Sequence, residues 1–218
     1  MEKSRPYVIL SAATSIDGKI ATRIGDSKMS SKQDSIRLHK LRSSVDAILI
    51  GKNTAIRDNP LLTVRFTKGK NPIRIILDSK GVLPKKSKIL KTSNKVPTII
   101  AVSKNISKSN YQKLAKFPIE IITVGENSVN LKLLLKKLYK KNIKKILVEG
   151  GSAVNWEFIK NDIFDEMIIT ISPFVIGGND AISLVGGRGF GKIVNSPNLH
   201  IKSIKRLKNH LVLSYVKV

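Results

Sequence analysis

The stretch from Ile146 to Trp156 concentrates the most chemistry. An apolar run, Ile146-Leu147-Val148, delivers the carboxylate of Glu149, then Gly150 and Gly151, then Ser152 where a helical stretch begins. A helix start presents N–H groups and the positive end of the helix dipole, which together make an anion site, and glycines let a phosphate come close. The competing reading is a tight strand-to-helix turn with Ser152 as its cap. An acid at the strand's end favours the anion site.

Three other stretches carry candidate chemistry. Asp46 to Arg65 runs an apolar segment into Gly51, then places Thr54 and Asp58 four residues apart, on one face if this is a helical turn, before Asn59-Pro60 stops it. The local pattern is equally that of a cap followed by a turn. Ser15 to Ala21 contains Asp17-Gly18, a turn signal at the carboxyl end of the first strand, where open α/β sheets bind ligands. Ser172 to Gly178, with Gly186 to Gly191 after it, reads most simply as a glycine-containing surface loop.

Familiar signatures fail. Gly51-Lys52 lacks the glycine five positions earlier and the Ser/Thr that a phosphate loop needs, since Asp46 and Asn53 stand there. The Gly186–Gly191 run lacks dinucleotide-fingerprint spacing. His39, His200 and His210 share no ligand spacing, so no metal is expected and each is read as a surface or helix-face residue. The absence of cysteine excludes disulfides, thiolate zinc sites and cysteine nucleophiles.

Charge is the other conspicuous number. Forty Lys+Arg against 15 Asp+Glu give a formal net charge of +25. The excess is mostly lysine spread along the chain, with no basic block of five and only 5% aromatic residues for base stacking. A solvated lysine-rich surface explains it better than a specific nucleic-acid partner.

The elements that must position these residues are legible as runs. Tyr7–Leu10, Ala47–Ile50, Ile73–Leu77, Thr98–Val102, Ile119–Val124, Ile146–Val148 and Met167–Ile171 are short and nearly all apolar, as in strands buried on both faces of a parallel sheet. Leu199–Leu207 and Leu211–Val218 read as a closing antiparallel pair, with Lys208-Asn209-His210 at the turn. Helices are expected over Ser31–Arg42, over the segment carrying Leu131, Leu134, Leu135 and Leu138, and over Val154–Lys160. Alternation of strand and helix gives an α/β class with a mixed, mostly parallel central sheet flanked by helices. The polar start Met1 to Pro6 is no signal sequence, and no apolar run is long enough to span a membrane. One soluble, cytoplasmic domain over residues 1–218 is the expectation.

In their order and spacing, the motifs SIDGKIA (15–21), GKNTAIRDNPLLTVR (51–65), ILDSKG (76–81), LVEGGSAVNW (147–156) and SPFVIGG (172–178) resemble the riboflavin-biosynthesis reductase family, most closely its stand-alone archaeal and fungal form. The resemblance implies a dihydrofolate-reductase-like fold, usually a homodimer, and a cofactor, NADPH or in some members NADH, used to reduce a ribosylaminopyrimidine phosphate to its ribityl form. It places Thr54 and Asp58 near the nicotinamide, Ser79, Lys80, Gly81 and Val82 at the adenosine ribose, and Gly150, Gly151, Ser152, Ala153 and Val154 at the pyrophosphate. Ser27, Arg42, Leu62, Arg65 and Glu149 fall at substrate positions, with Asp58 and Glu149 the catalytic candidates. Bacterial relatives often join such a reductase to a zinc deaminase, which needs cysteine ligands this chain lacks. Dihydrofolate reductase is the alternative enzyme of the same fold, and a basic nucleic-acid-binding protein the alternative of another class.

Overall fold

The computed structural model describes residues 4–217; Met1, Glu2, Lys3 and Val218, with the parts of the expected start and closing strand that fall on them, lie outside the described residues. In chain order the elements are β1 (Tyr7–Thr14), β2 (Lys19–Ala21), α1 (Lys32–Arg42), β3 (Ala47–Gly51), α2 (Lys52–Arg57) and β4 (Ile73–Leu77). Then come α3 (Lys88–Lys91), β5 (Thr98–Val102), α4 (Lys108–Leu114), β6 (Glu120–Thr123), α5 (Leu131–Lys140) and β7 (Lys145–Val148). The last are α6 (Ser152–Lys160), β8 (Glu166–Ile171), β9 (Ile182–Ser183), β10 (Leu199–Leu207) and β11 (His210–Lys217). No helix among the described residues is long and apolar enough to cross a membrane.

The chain divides into two compact units. The first comprises His39–Leu147 with the chain up to Tyr7. Its strands β3, β4, β5 and β6 lie side by side in that order, all parallel, with β7 beside β3. Ile48, Leu49 and Ile50 of β3 and Ile75 and Ile76 of β4 are fully buried, which is why β3 reads as an uninterrupted apolar run and β4 as one broken only by Arg74. Each such side chain contributes about 1.5–3 kcal/mol by leaving water. In α5, Leu131, Leu134, Leu135 and Leu138 are buried, while Lys132, Lys136, Lys137 and Lys140 face solvent. The short helices α3 and α4 are opened by Ser87 and Ser107, whose hydroxyls accept the N–H of Leu90 and Asn110.

A polar group lies at the centre of this unit. Arg74, on β4, is 0% exposed. Its guanidinium donates to the hydroxyls of Thr92 (2.8 Å) and Thr98 (2.7 and 3.0 Å) and to the carbonyls of Leu61 (3.3 Å), Ile89 (2.9 Å) and Val96 (3.1 Å). Burial lowers its pKa to about 10, which leaves it charged at neutral pH. The arginine thus ties a strand, a short helix and the segment before Leu62 to one cation.

The second unit comprises Val8–Leu38 and the chain from Val148 onward. Its strand order is β10-β11-β8-β1, with β8 parallel to β1 and β11 antiparallel to both β8 and β10. The closing antiparallel pair is present as expected, but its turn is shorter. Leu207 pairs with His210, leaving Lys208-Asn209 as the two-residue turn, with Lys208 at φ 55°. His210 is therefore a strand residue. It is buried, with Nε2 3.2 Å from the Met29 carbonyl, which corrects the surface position expected of it. Ser31 lies just before α1 rather than in it, and its hydroxyl accepts the Asp34 N–H at 3.2 Å. The buried Asp34 carboxylate accepts from Arg37 Nε and Thr170 Oγ1, both at 2.8 Å. A separate small sheet pairs β2 with β9, antiparallel.

Candidate functional site

In the second unit, the chain leaves β7 at Val148, passes Glu149, and enters α6. Gly150 has φ +83°, a conformation that side chains disfavour, so glycine belongs there. Gly151 is the N-cap of α6 and, as a glycine, has no side chain to cap it; Ser152 is its first residue, not the cap that the simpler sequence reading allowed. One turn on, Asn155 is buried, donates from Nδ2 to the Leu184 carbonyl at 2.8 Å, and leaves Oδ1 without a partner. The glycine-rich run packs against this helix rather than forming a free loop. A Cβ on Gly186 would lie 2.7 Å from Ser152 Oγ, and one on Gly187 would overlap the Trp156 ring.

The same unit joins two stretches that the sequence kept apart. Asp17 accepts the N–H of Ile176 (3.0 Å) and of Gly177 (2.7 Å), while Ile16 donates to Phe174 O and Leu184 to Gly18 O. The Asp17-Gly18 turn is thereby a clamp on the Ser172–Gly178 loop. The Ser15 hydroxyl and the two amides hold the Asp17 carboxyl well below the usual carboxylate range. A carboxylate depressed in the folded state stabilises it fully above the unfolded pKa of about 3.9 and loses that contribution as pH falls below it. Asp17→Asn is expected to speed hydrogen exchange at Ile176 and Gly177 at neutral pH. The wild-type chain should show the same loosening only under acid conditions below about pH 4. Equal protection in the two proteins at neutral pH would exclude the clamp. Ser27 sits in the exposed segment before α1, its carbonyl accepting the Met29 N–H.

In the first unit, α2 ends at Arg57, and Asp58 closes it by donating its N–H to Thr54 O at 3.0 Å. The Asp58 carboxylate accepts from Arg57 Nε at 2.8 Å. Beyond it the backbone is irregular: Asn59 and Leu62 have positive φ, and Leu62 is buried. Both candidate arginines converge on Thr63. Arg42 Nη1 donates to its carbonyl at 3.2 Å, and Arg65 Nη1 donates to its hydroxyl at 2.9 Å. Arg42 is nearly buried, whereas Arg65 is exposed. His39 is on α1, among the helix-face positions expected of it, but is 3% exposed and stands within this cluster.

A second loop of this unit holds Ser79 to Val82. Ser79 Oγ accepts the Val129 N–H at 3.1 Å, and its carbonyl accepts from Ser103 N and Oγ. Asn110 Nδ2 donates to Lys80 O at 2.8 Å, Lys113 Nζ to Gly81 O at 2.7 Å, and Leu83 N to Asp78 Oδ2 at 2.7 Å. The loop is fixed by its own backbone, with the side chains of Lys80 and Val82 exposed. Sequence reading missed His39, Thr63, Arg74 and Asn155. Their roles depend on partners distant along the chain, and no local pattern marks them.

The family model described as the RibD C-terminal domain matches residues 6–213. A protein of Aquifex aeolicus named 2,5-diamino-6-ribosylamino-4(3H)-pyrimidinone 5′-phosphate reductase is 40% identical over 204 residues, covering 91% of both chains. One of the same name from Methanothermobacter thermautotrophicus is 37% identical, over 97% of this chain and 98% of its own. Among solved structures, a Thermotoga maritima diaminohydroxyphosphoribosylaminopyrimidine deaminase/5-amino-6-(5-phosphoribosylamino)uracil reductase superposes with a TM-score of 0.81 at 28% identity. The match covers 98% of this chain, which spans 57% of that longer one. The mixed, mostly parallel dihydrofolate-reductase-like architecture expected from the sequence is therefore the one observed. With a family model spanning nearly the whole chain and relatives alike over nearly all of their own lengths, the chain belongs to the RibD C-terminal domain family.

Proposed function

We propose that this chain is a nicotinamide-dependent reductase of riboflavin biosynthesis. It would reduce the ribosylamino side chain of 2,5-diamino-6-ribosylamino-4(3H)-pyrimidinone 5′-phosphate to ribitylamino, working as a cytoplasmic homodimer. The observation that carries the reading is the turn Glu149-Gly150-Gly151 leading from a buried strand into the start of α6, in a chain so similar to reductases of that name. Each unit offers an element of the kind a dinucleotide needs. The α6 N-terminus and the two glycines suit a pyrophosphate, and the immobilised loop at 79–82 suits a ribose. The exposed ammonium of Lys80 suits a 2′-phosphate, which favours NADPH over NADH. The bound cofactor supplies the hydride, and the protein supplies position and electrostatics.

Arg42 and Arg65 bind the 5′-phosphate. A guanidinium fork donates two parallel bonds to such a group, and Thr63 holds both arginines from the same segment. Leu62 and Ser27 complete the substrate contacts, and Glu149 accepts from amino groups of the base. Thr54 lies towards the reacting centre with Asp58, which orients a polar group there. The electrophile is C1′ of the ring-opened imine, so no side chain forms a covalent bond. Orientation alone can lower such a barrier by several kcal/mol, about 7–11 at the extreme. The test is NADPH oxidation by the purified chain. Consumption should depend on the ribosylaminopyrimidine phosphate. Turnover with dihydrofolate and none with the pyrimidine would overturn the assignment.

A further inference from the structure

The segment from Thr63 to Phe66 belongs to no helix or strand, so its backbone N–H groups have no ladder to join and must find other acceptors. Side chains supply them. Asn71 Oδ1 accepts the Val64 N–H at 2.8 Å. His39 Nδ1 accepts the Arg65 N–H at 2.8 Å and lies 3.4 Å from the Phe66 nitrogen. The imidazole also packs against the Phe66 ring, with centroids 4.5 Å apart.

This geometry fixes the chemistry of the ring. A neutral imidazole has one acceptor and one donor nitrogen. With Nδ1 accepting from Arg65, the proton sits on Nε2. Arg42 Nη1, 3.4 Å from Nε2, is then a packed neighbour rather than a donor to it. His39 thus holds the Arg65 backbone through Nδ1 while its other edge lies against the Arg42 guanidinium. Thr63, two residues before Arg65, completes the arrangement by accepting from both arginines.

We propose that His39 is the positioning residue of the phosphate-binding pair: its neutral, Nε2-protonated imidazole fixes the 63–66 segment so that Arg42 and Arg65 present their guanidinium groups to one phosphate. The proposal rests on the assignment of those arginines to the substrate's 5′-phosphate. It does not rest on what happens at the reacting carbon. His39 touches neither substrate nor cofactor in this scheme and acts through Arg65 and Arg42.

Side-chain geometry provides the test. An asparagine amide oxygen can take the place of Nδ1, so His39→Asn retains the acceptor. A glutamine amide reaches the Nε2 position, and leucine has no acceptor. Calorimetric titration with D-ribose 5-phosphate should show affinity in the wild type, near-equal affinity in His39→Asn, and about a tenfold loss in His39→Leu. That loss corresponds to one backbone hydrogen bond of about 1.4 kcal/mol. In turnover, KM for the phosphorylated pyrimidine should rise by the same factor while kcat changes little. With the substrate lacking its 5′-phosphate, the leucine and wild-type proteins should be equally poor. If His39→Leu does not fold by near-ultraviolet circular dichroism, His39→Gln carries the same expectation. Equal losses in the asparagine and leucine proteins would overturn the proposal, as would no loss in a folded leucine protein. So would a wild-type chain with no affinity for ribose 5-phosphate. Wild-type binding of ribose 5-phosphate without NADPH turnover would instead sink the reductase reading, leaving the role of His39 to the binding data.

Discussion

Arg74→Met will lower stability by about 3 kcal/mol, seen as a lower urea midpoint at unchanged slope. Methionine approximates the arginine stem and fills most of its volume, so the loss comes chiefly from stranded acceptors. Leu61 O and Ile89 O each lose the bond they receive from the guanidinium. Val96 O retains a bond from Thr98 Oγ1, and Thr92 Oγ1 still donates to Lys88 O. Two stranded carbonyls at about 1–3 kcal/mol each set the scale, and relief from burying a charge offsets part of it. Arg74→Lys should recover only part of the loss, because an ammonium has three donors and cannot span five acceptor groups. A methionine variant as stable as the wild type would mean that the arginine's desolvation cost cancels its bonds.

The second large effect is expected at Gly150. Gly150→Val places a β-branched residue at φ +83°, at a cost of about 2 kcal/mol. Crowding is not the cause, since a Cβ there would lie 3.5 Å from Asn155 Oδ1, an ordinary contact. The backbone will shift to relieve the strain, and the start of α6 will shift with it. If that helix start receives the pyrophosphate, NADPH affinity should fall by about tenfold or more, since 1.4 kcal/mol is one decade. The chain has one tryptophan, Trp156, in the second turn of α6, so its fluorescence on titration with NADPH reads binding directly. Unchanged affinity in a folded Gly150→Val protein would remove the pyrophosphate from this turn.

The parts of the fold legible in the sequence were those whose burial is repeated along the chain. β3 and β5 are buried at every position and appear as unbroken apolar runs. α5 shows its inward face at i, i+3, i+4 and i+7. The helices α3 and α4 are four and seven residues long, too short for a period to mark them; only the serines that open them are visible afterwards. The closing hairpin was placed correctly, yet its turn was drawn one residue too long because His210, polar and next to Lys208-Asn209, is the first residue of β11 and pairs with Leu207. Of the candidate site, the strand-to-helix turn at 149–152 was readable as a turn, because strand, glycines and helix are consecutive. The grouping of His39 with Thr63 and Arg65 was not, because it depends on a contact across 26 residues with no periodic trace.

The edge strand β10 gives part of the charge excess a location. Among the described residues, one side of this strand has no neighbour in its sheet, and it exposes Ile201 and Ile204. Such an edge can recruit another strand by backbone pairing. Here the ladder is interrupted between Ile201 and Ser203, and Lys205 and Arg206 stand along the same strand. A kinked edge with cations spaced along it accepts a second extended chain poorly, because pairing would bring like charges together and misalign the ladder. Part of the charge excess thus guards the chain against growing into a fibre through its own open edge.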